Sequence, residues 1–530
     1  MDQTEQKSDL TQNFQAKAIF GDTKSRIPRS LFSNWAGMGA NVVVGFLLAP
    51  FIVHRLGNTS YGIWALVIQL TGYMGVFDVG VRSALVRFVA RFRAAGDQGS
   101  MNRLLSMTLT MYSGLATVTI AVGLALATLA LPHMQIPLSM RWDSQVVLML
   151  TAITLAAGFP LGLFQAVLSG LSRWDLTNAV NISTLLLRTA LIVIFLLNGH
   201  GLIALGIINL LTTLMGYGSC GILVFKLMPN TKISLFKWDQ TFFRPVFAHS
   251  FYSFLIGIGN RINYGVDTIV IAAFLPVQAV TFYVIGFKLV QYLRDLVNAS
   301  SVIIAPIVSG LEAQQRTDEI QAMLVQGCKF LLLASYPVIA GLLILGPDFI
   351  QVWMGNGYKE TSGKVLMILA CGQFVSFTEH IPAHILFGLS QHKINAWCTI
   401  LEAVLNLGLS IALVQSFGIY GVALSTTIGI VIVRGWIFPR GYLRTLGISW
   451  FPYFRSAIFP PLASTLVFCA GVLGFRQFLV CQSFLMIGAA VACGLVLYVP
   501  FVLIFVLNQT ERLMARRFIP WNRLKQEIAG

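Results

Sequence analysis

The sequence predicts an all-α polytopic membrane protein of about 14 transmembrane helices, built as two six-helix halves followed by two further helices. Three observations predict it. Hydrophobic residues make up 56% of the 530 and charged residues only 11%, against about 25% charged in a soluble domain, so charge is too scarce to coat a water-facing surface. The apolar residues form unbroken runs such as "TMYSGLATVTIAVGLALATLAL" (110–131). A run of about 18 or more reads as a membrane-spanning helix, whereas barrel strands would alternate over about ten residues. Landmarks of the first half also recur in the second at a nearly constant offset.

The elements follow in chain order. Residues 1–29 are polar without an apolar core, so they are expected to form a flexible cytoplasmic tail and not a cleavable signal peptide. Six spans near 30–53, 60–81, 105–131, 146–169, 175–198 and 201–225 compose a first half over 30–228. Six more near 246–274, 279–308, 330–347, 365–388, 394–415 and 418–438 compose a second half over 246–443. Two extra spans, near 458–475 and 483–508, fill 453–508, and a basic tail (509–530) ends the chain. With the N-terminus inside, 26 of the 36 Lys and Arg fall in inner segments and 5 in outer loops. That bias places both termini in the cytoplasm, with the chain in the cell (inner) membrane. It also accounts for the net charge of +16 without nucleic acid as a partner.

The halves are related by internal landmarks. "RLGNTSYGIWALVIQL" (55–70) parallels "FLPVQAVTFYVIGFKL" (274–289), each a turn followed by an aromatic-rich helix start. "GLSRWDLTNAVNIS" (170–183) parallels "GLSQHKINAWCTIL" (388–401), and Gly201 parallels Gly418. All fall at offsets of 217 to 219. Six spans per half is even, so the halves share one orientation, and in repeat-built transporters the substrate path lies between repeats near the midplane.

Several chemistries are excluded. The seven cysteines (220, 328, 371, 398, 469, 481, 493) are scattered, form no CxxC pair, and read as small buried apolar residues; no metal site is implied. No GxxxxGK[ST] loop offers an ATP site and no nucleophile–base set is proposable, so no cofactor and no enzyme activity are expected. The outer loops are too short for a glycosyl-transfer or polymerase site.

At this point the residues resemble a known family. "LGNTSYGIWALVIQLTGYMGVFDVGVRSALVRFVA" (56–90) has a turn, Tyr61-Gly62, a helix bearing Trp64, then Asp78-x-Gly80 and a basic helical end. "LGPDFIQVWMGNGY" (345–358) has an aromatic outer loop with Trp353-x-Gly355. Both resemble the Wzx-type polysaccharide-biosynthesis flippases of the multidrug/oligosaccharidyl-lipid/polysaccharide exporter superfamily. The resemblance implies a MATE-like, V-shaped fold of two lobes. It implies export of polyprenyl-diphosphate-linked oligosaccharide from the inner to the outer leaflet, with membrane lipids, a polysaccharide polymerase and glycosyltransferases as partners. A cation-coupled multidrug exporter on the same fold is the alternative.

Ionisable groups at bilayer depth are costly and are functional candidates by default. On a helical projection of the seventh span, Asn263, Asp267, Asn260, Tyr264, Thr268 and Arg261 share an arc of about 160°, opposite an apolar back. The eighth span places Lys288, Tyr292 and Asp295 on one stripe, with Arg294 beside it. Both stripes read as a substrate cavity or as buried polar seams. Arg261 has no charged counterpart in the first half, where Asn41 matches Asn260; with Lys288 it is the expected grip on a diphosphate, because a guanidinium fork bonds two oxygens at once. Arg82, Arg87 and Arg91 read as a cytoplasmic gate for the diphosphate or as anionic-lipid contacts. Glu379, His380 and His384 read as proton-coupling groups or as a polar lining near the kink at Pro382. Arg188 and Glu402, each alone in its span, read as an ion pair across the halves or as charges held by structural partners nearby, the second being expected.

Overall fold

The computed structural model describes residues 3–75, 78–235, 257–263, 265–391, 393–479, 481–509 and 511–512, with side chains from residue 37 on except those of 38, 79, 80 and 83. No strand occurs among the described residues. Helices suit this sequence because lipid offers no hydrogen-bond partners, so each segment must bond its own backbone. Serine and threonine in the spans follow the same logic: Thr71, Thr108 and Thr151 donate to carbonyls one turn back.

The chain divides into two compact units, Met1–Arg261 and Ile262–Gly530. The first holds α1 (Gln3–Met74), α2 (Asp78–Ala95), α3 (Gln98–Ala125), α4 (Arg141–Gly170), α5 (Trp174–Leu197) and α6 (Leu202–Leu227). Its core joins Leu85, Val89, Leu104 and Leu105 to Leu163, Val167 and Val224. The second holds α7 (Gly265–Phe274), α8 (Gln278–Ser301), α9 (Ile304–Ala313), α10 (Thr317–Met354), α11 (Thr361–Ser376) and α12 (His380–Gly388). It continues with α13 (Lys393–Ile432), α14 (Phe438–Leu446), α15 (Trp450–Tyr453), α16 (Phe459–Phe478) and α17 (Phe484–Phe501).

Among the described residues, 11 helical stretches are long and apolar enough to cross a membrane. Two of these, Gly39–Met74 and Lys393–Leu446, each contain two expected spans, separated by non-helical glycines: Gly57 (φ 79°) in α1 and Gly418 (φ 57°) in α13. Glycine adopts positive φ without a Cβ clash. The span expected at 246–274 is described only from residue 257. The N-terminal segment expected as a tail is helical backbone from Gln3 and runs without a break into the first span.

The matched landmarks fold alike. In "GLS", Ser172 and Ser390 are both left-handed, at φ 57° and 56°. Arg173 N–H returns to Leu168 O and Gln391 N–H to Leu386 O, the same helix-ending bonds. A methyl on Gly170 would lie 2.9 Å from Val86 O, and one on Gly388 would lie 2.7 Å from Ala305 O.

The two extra helices pack on α10. Phe468, Val472, Ile487 and Tyr498 join Leu333, Ala340 and Leu345 in one apolar cluster, and the Tyr498 hydroxyl donates to Leu333 O at 2.7 Å. All seven cysteines are free; Cys371 is exposed, against the expectation of burial, because it lies on an outward face of α11.

Candidate functional site

The polar stripe of the seventh span is divided by burial. Asn260 and Arg261 are exposed, while Asn263 and Asp267 are each 1% exposed. Tyr264 lies outside the described residues. The Asp267 carboxylate accepts from the Tyr283 hydroxyl of α8, from Thr426 Oγ1 at 2.9 Å and from Asn406 Nδ2 at 3.2 Å, both of α13. Asn406 also donates to Asn263 O at 3.2 Å, and its Oδ1 accepts from Ser410 at 3.2 Å and Ser425 at 3.1 Å. Asn263 Oδ1 has no donor among the described residues. Among the described residues no lysine or arginine forms an ion pair with Asp267. A lone carboxylate in a shell of neutral oxygen and amide groups can enclose a proton or a hard cation, which prefers oxygen ligands. No group of three or more His, Cys, Asp or Glu among the described residues could hold a metal ion.

The two charges of the stripe thus differ in burial, Arg261 exposed and Asp267 buried. The Arg261 guanidinium lies over Gly72 of α1, where a methyl would come within 2.9 Å of Nη1. Its carbonyl accepts from the Tyr73 hydroxyl at 3.0 Å. No carboxylate pairs with it among the described residues.

On α8, Lys288 Nζ lies 5.9 Å from the centre of the Tyr292 ring, a cation–π distance. Among the described residues Lys288 and Asp295 form no ion pair; Asp295 is exposed and Arg294 half-buried. Asn41 is exposed and donates to Gly37 O one turn back, at 2.9 Å.

Glu379 belongs to a buried ion cluster that the sequence did not reveal as one. Arg434 reaches Glu379 Oε2 at 2.8 Å and Glu402 Oε2 at 2.6 Å. It also donates to Asn395 Oδ1 and Thr399 Oγ1, each at 2.8 Å. His380 sits edge-on to Phe377, at 5.6 Å between ring centres; His384 is half-buried. The sequence signals for this cluster were lone charges in separate spans, Glu379, Glu402 and Arg434, with nothing in the spacing to pair them.

In the first unit, Arg82 Nη2 donates to Gln165 Oε1 at 2.5 Å, while Arg87 and Arg91 are exposed. The Tyr112 hydroxyl donates to Asp78 at 2.5 Å. Arg188 Nε and Nη2 donate to Thr212 and Thr213, both at 3.0 Å. Arg188 and Glu402 thus each find partners in their own unit, as expected. Beyond α2, Asp97 caps α3, and hydrogen bonds from the Ser100 side chain and backbone hold its carboxyl below the usual range.

The chain matches the family described as polysaccharide biosynthesis protein over residues 28–312 and that of lipid II flippase MurJ over 175–490. A Shigella flexneri protein provisionally named an O-antigen transporter is 21% identical over 77% of this chain and 96% of its own length. A Haloferax volcanii protein provisionally named flippase AglR is 22% identical over 74% and 79%. Among solved structures, lipid II flippase MurJ in an inward closed conformation superposes with TM-score 0.70 at 14% identity, over 90% of this chain and 98% of the other. A multidrug resistance MATE family transporter in an inward-facing conformation gives 0.62 at 14%, over 77% and 94%. These last two likenesses show the fold, and the first family match spans more than half the sequence: the chain belongs to the polysaccharide biosynthesis protein family.

Proposed function

We propose that the chain is a flippase that moves polyprenyl-diphosphate-linked oligosaccharide from the cytoplasmic to the outer leaflet of the cell membrane by alternating access, for surface polysaccharide biosynthesis. The relatives' names and the family support the cargo class. The observation that carries it is the sign of the uncompensated charge at membrane depth. Among the described residues, Arg188, Arg261 and Lys288 have no carboxylate within ion-pair distance. Of the carboxylates, Glu379 and Glu402 pair with Arg434, and Asp267 stands without a cationic partner inside a shell of neutral donors, so cations without a counter-charge outnumber such anions. Unpaired cations at such depth suit an anionic cargo; a multidrug exporter of organic cations would want the reverse. Arg261 holds the diphosphate, Arg82, Arg87 and Arg91 meet it first at the cytoplasmic side, and a polymerase and glycosyltransferases act after and before transport.

Deleting the gene tests this in cells. Lipid-linked repeat units are expected to accumulate in the cytoplasmic leaflet, and normal surface polysaccharide in the deletion strain contradicts the proposal.

A further inference from the structure

One end of the first unit gathers opposite charges in a single cavity without pairing them. The cavity, of about 220 Å³, is lined by Arg93 and Asp97 around the turn from α2 to α3, by Leu171 and Arg173 between α4 and α5, and by Leu227 at the end of α6. The Arg93 guanidinium is drawn away from Asp97: its Nη1 donates to Leu171 O at 2.6 Å, on the turn that carries Arg173. Arg173 itself pairs with Asp175 at 3.1 Å. Asp97 Oδ1 accepts from Ser100 N–H at 2.8 Å as the cap of α3. Both Arg93 and Asp97 are exposed, and among the described residues neither forms an ion pair.

The fold does not require this arrangement of charge. The turn after α2 recurs after α9. Asp97 N–H returns to Phe92 O and Arg316 N–H to Leu311 O, and Gly96 and Gln315 both have positive φ, 66° and 57°. Yet the second unit places Glu312 and Arg316 where the first has Arg93 and Asp97, so both signs are exchanged, and Gln391 stands where the first has Arg173. One backbone serves either order of charge, which leaves the order in the first unit free to serve a ligand.

Position and chemistry narrow that ligand. The apolar runs of three helices end here: α3 turns apolar only after Arg103, α6 reaches Lys226 near its end, and α5 opens on Trp174, which is 40% exposed. Basic residues and an exposed tryptophan at the ends of spans mark the headgroup level. Phe92, Met101 and Leu227 set an apolar wall beside the charges, which suits a lipid head and the start of its chains. A free cation and a free carboxylate in one cavity suit a zwitterion, with a phosphate for Arg93 and an ammonium for Asp97. A primary ammonium has hydrogens to donate to a carboxylate. A choline head has none and is held by aromatic cages, and no Trp or Tyr lines this cavity among the described residues. A glycerol head brings no cation to Asp97.

We propose that this cavity binds the phosphoethanolamine head of a membrane lipid, phosphatidylethanolamine, with the phosphate on Arg93 and Arg173 and the ammonium on Asp97, at a site separate from the transported cargo.

The test titrates full-length protein in detergent with short-chain phosphatidylethanolamine, phosphatidylcholine and phosphatidylglycerol and reads bound lipid by native mass spectrometry. Phosphatidylethanolamine is expected to bind at least about tenfold tighter than either of the others, the size of one charge-assisted hydrogen bond. Asp97→Asn keeps the helix cap, since asparagine caps as well as aspartate, and should erase the preference over phosphatidylglycerol. Arg93→Gln should weaken phosphatidylethanolamine and phosphatidylglycerol alike. Phosphatidylglycerol binding as tightly as phosphatidylethanolamine to the unaltered protein makes the cavity a general anionic-lipid site and overturns the inference, and this comparison needs no variant to fold. A preference that survives Asp97→Asn, or unchanged binding in Arg93→Gln, overturns it as well. Free O-phosphoethanolamine separates the head from the lipid: without chains against the apolar wall it should bind at least about tenfold more weakly, and equal affinity overturns the assignment to a lipid.

Discussion

Arg261 and Arg434 are both arginines at membrane depth, yet their surroundings are opposite. Arg434 is enclosed by two carboxylates, an amide and a hydroxyl, whereas Arg261 is exposed and holds no carboxylate among the described residues. The first arrangement holds helices together; the second leaves a fork open to a ligand. Arg261→Ala is expected to reduce flipping by on the order of a hundredfold, the loss of two charge-assisted bonds, while thermal stability changes by no more than about 0.5 kcal/mol, as for surface sites. Arg261→Lys should recover part of the rate, because the charge stays and the fork is lost. Transport at the unaltered rate in Arg261→Ala removes Arg261 from the binding site. The sequence showed that these charges exist, since a lone Arg in an apolar run is visible at once. It did not show which are paired. Tyr283, Asn406 and Thr426 come from α8 and α13, and only the tertiary fold brings them onto Asp267.

Elements were more legible than pairings, because span length and turn chemistry are local. The breaks at Gly57 and Gly418 and the paired "GLS" turns coincide with sequence landmarks. Helix ends were harder to place: the span expected at 60–81 is shared between α1, which ends at Met74, and α2, which begins at Asp78. Close contacts make the glycines that end α4 and α12 testable. Gly388→Ala would place a methyl 2.7 Å from a backbone oxygen, which cannot move aside as a side chain can. It should lower stability by roughly 1–3 kcal/mol. Gly408→Ala in α13, with nothing within 4 Å, should be neutral or stabilising by up to about 1 kcal/mol. Thermal unfolding in detergent compares them, and equal melting temperatures would show that the Gly388 contact relaxes freely.

For the whole molecule, the described residues form two compact helical units. Orientation is proposed from the basic inner segments. A C-terminal reporter that works only in the cytoplasm should be active; activity of one that works only outside would sink the count of 14 spans. The central claim concerns the cargo, and leaflet-resolved assay of the purified protein in proteoliposomes tests it most directly. A defined polyprenyl-diphosphate glycan placed in one leaflet should appear in the other at a rate that depends on the protein and on the diphosphate, with a phosphate-free prenyl glycan left behind. Equal rates with and without protein, or transport indifferent to the diphosphate, would contradict the account.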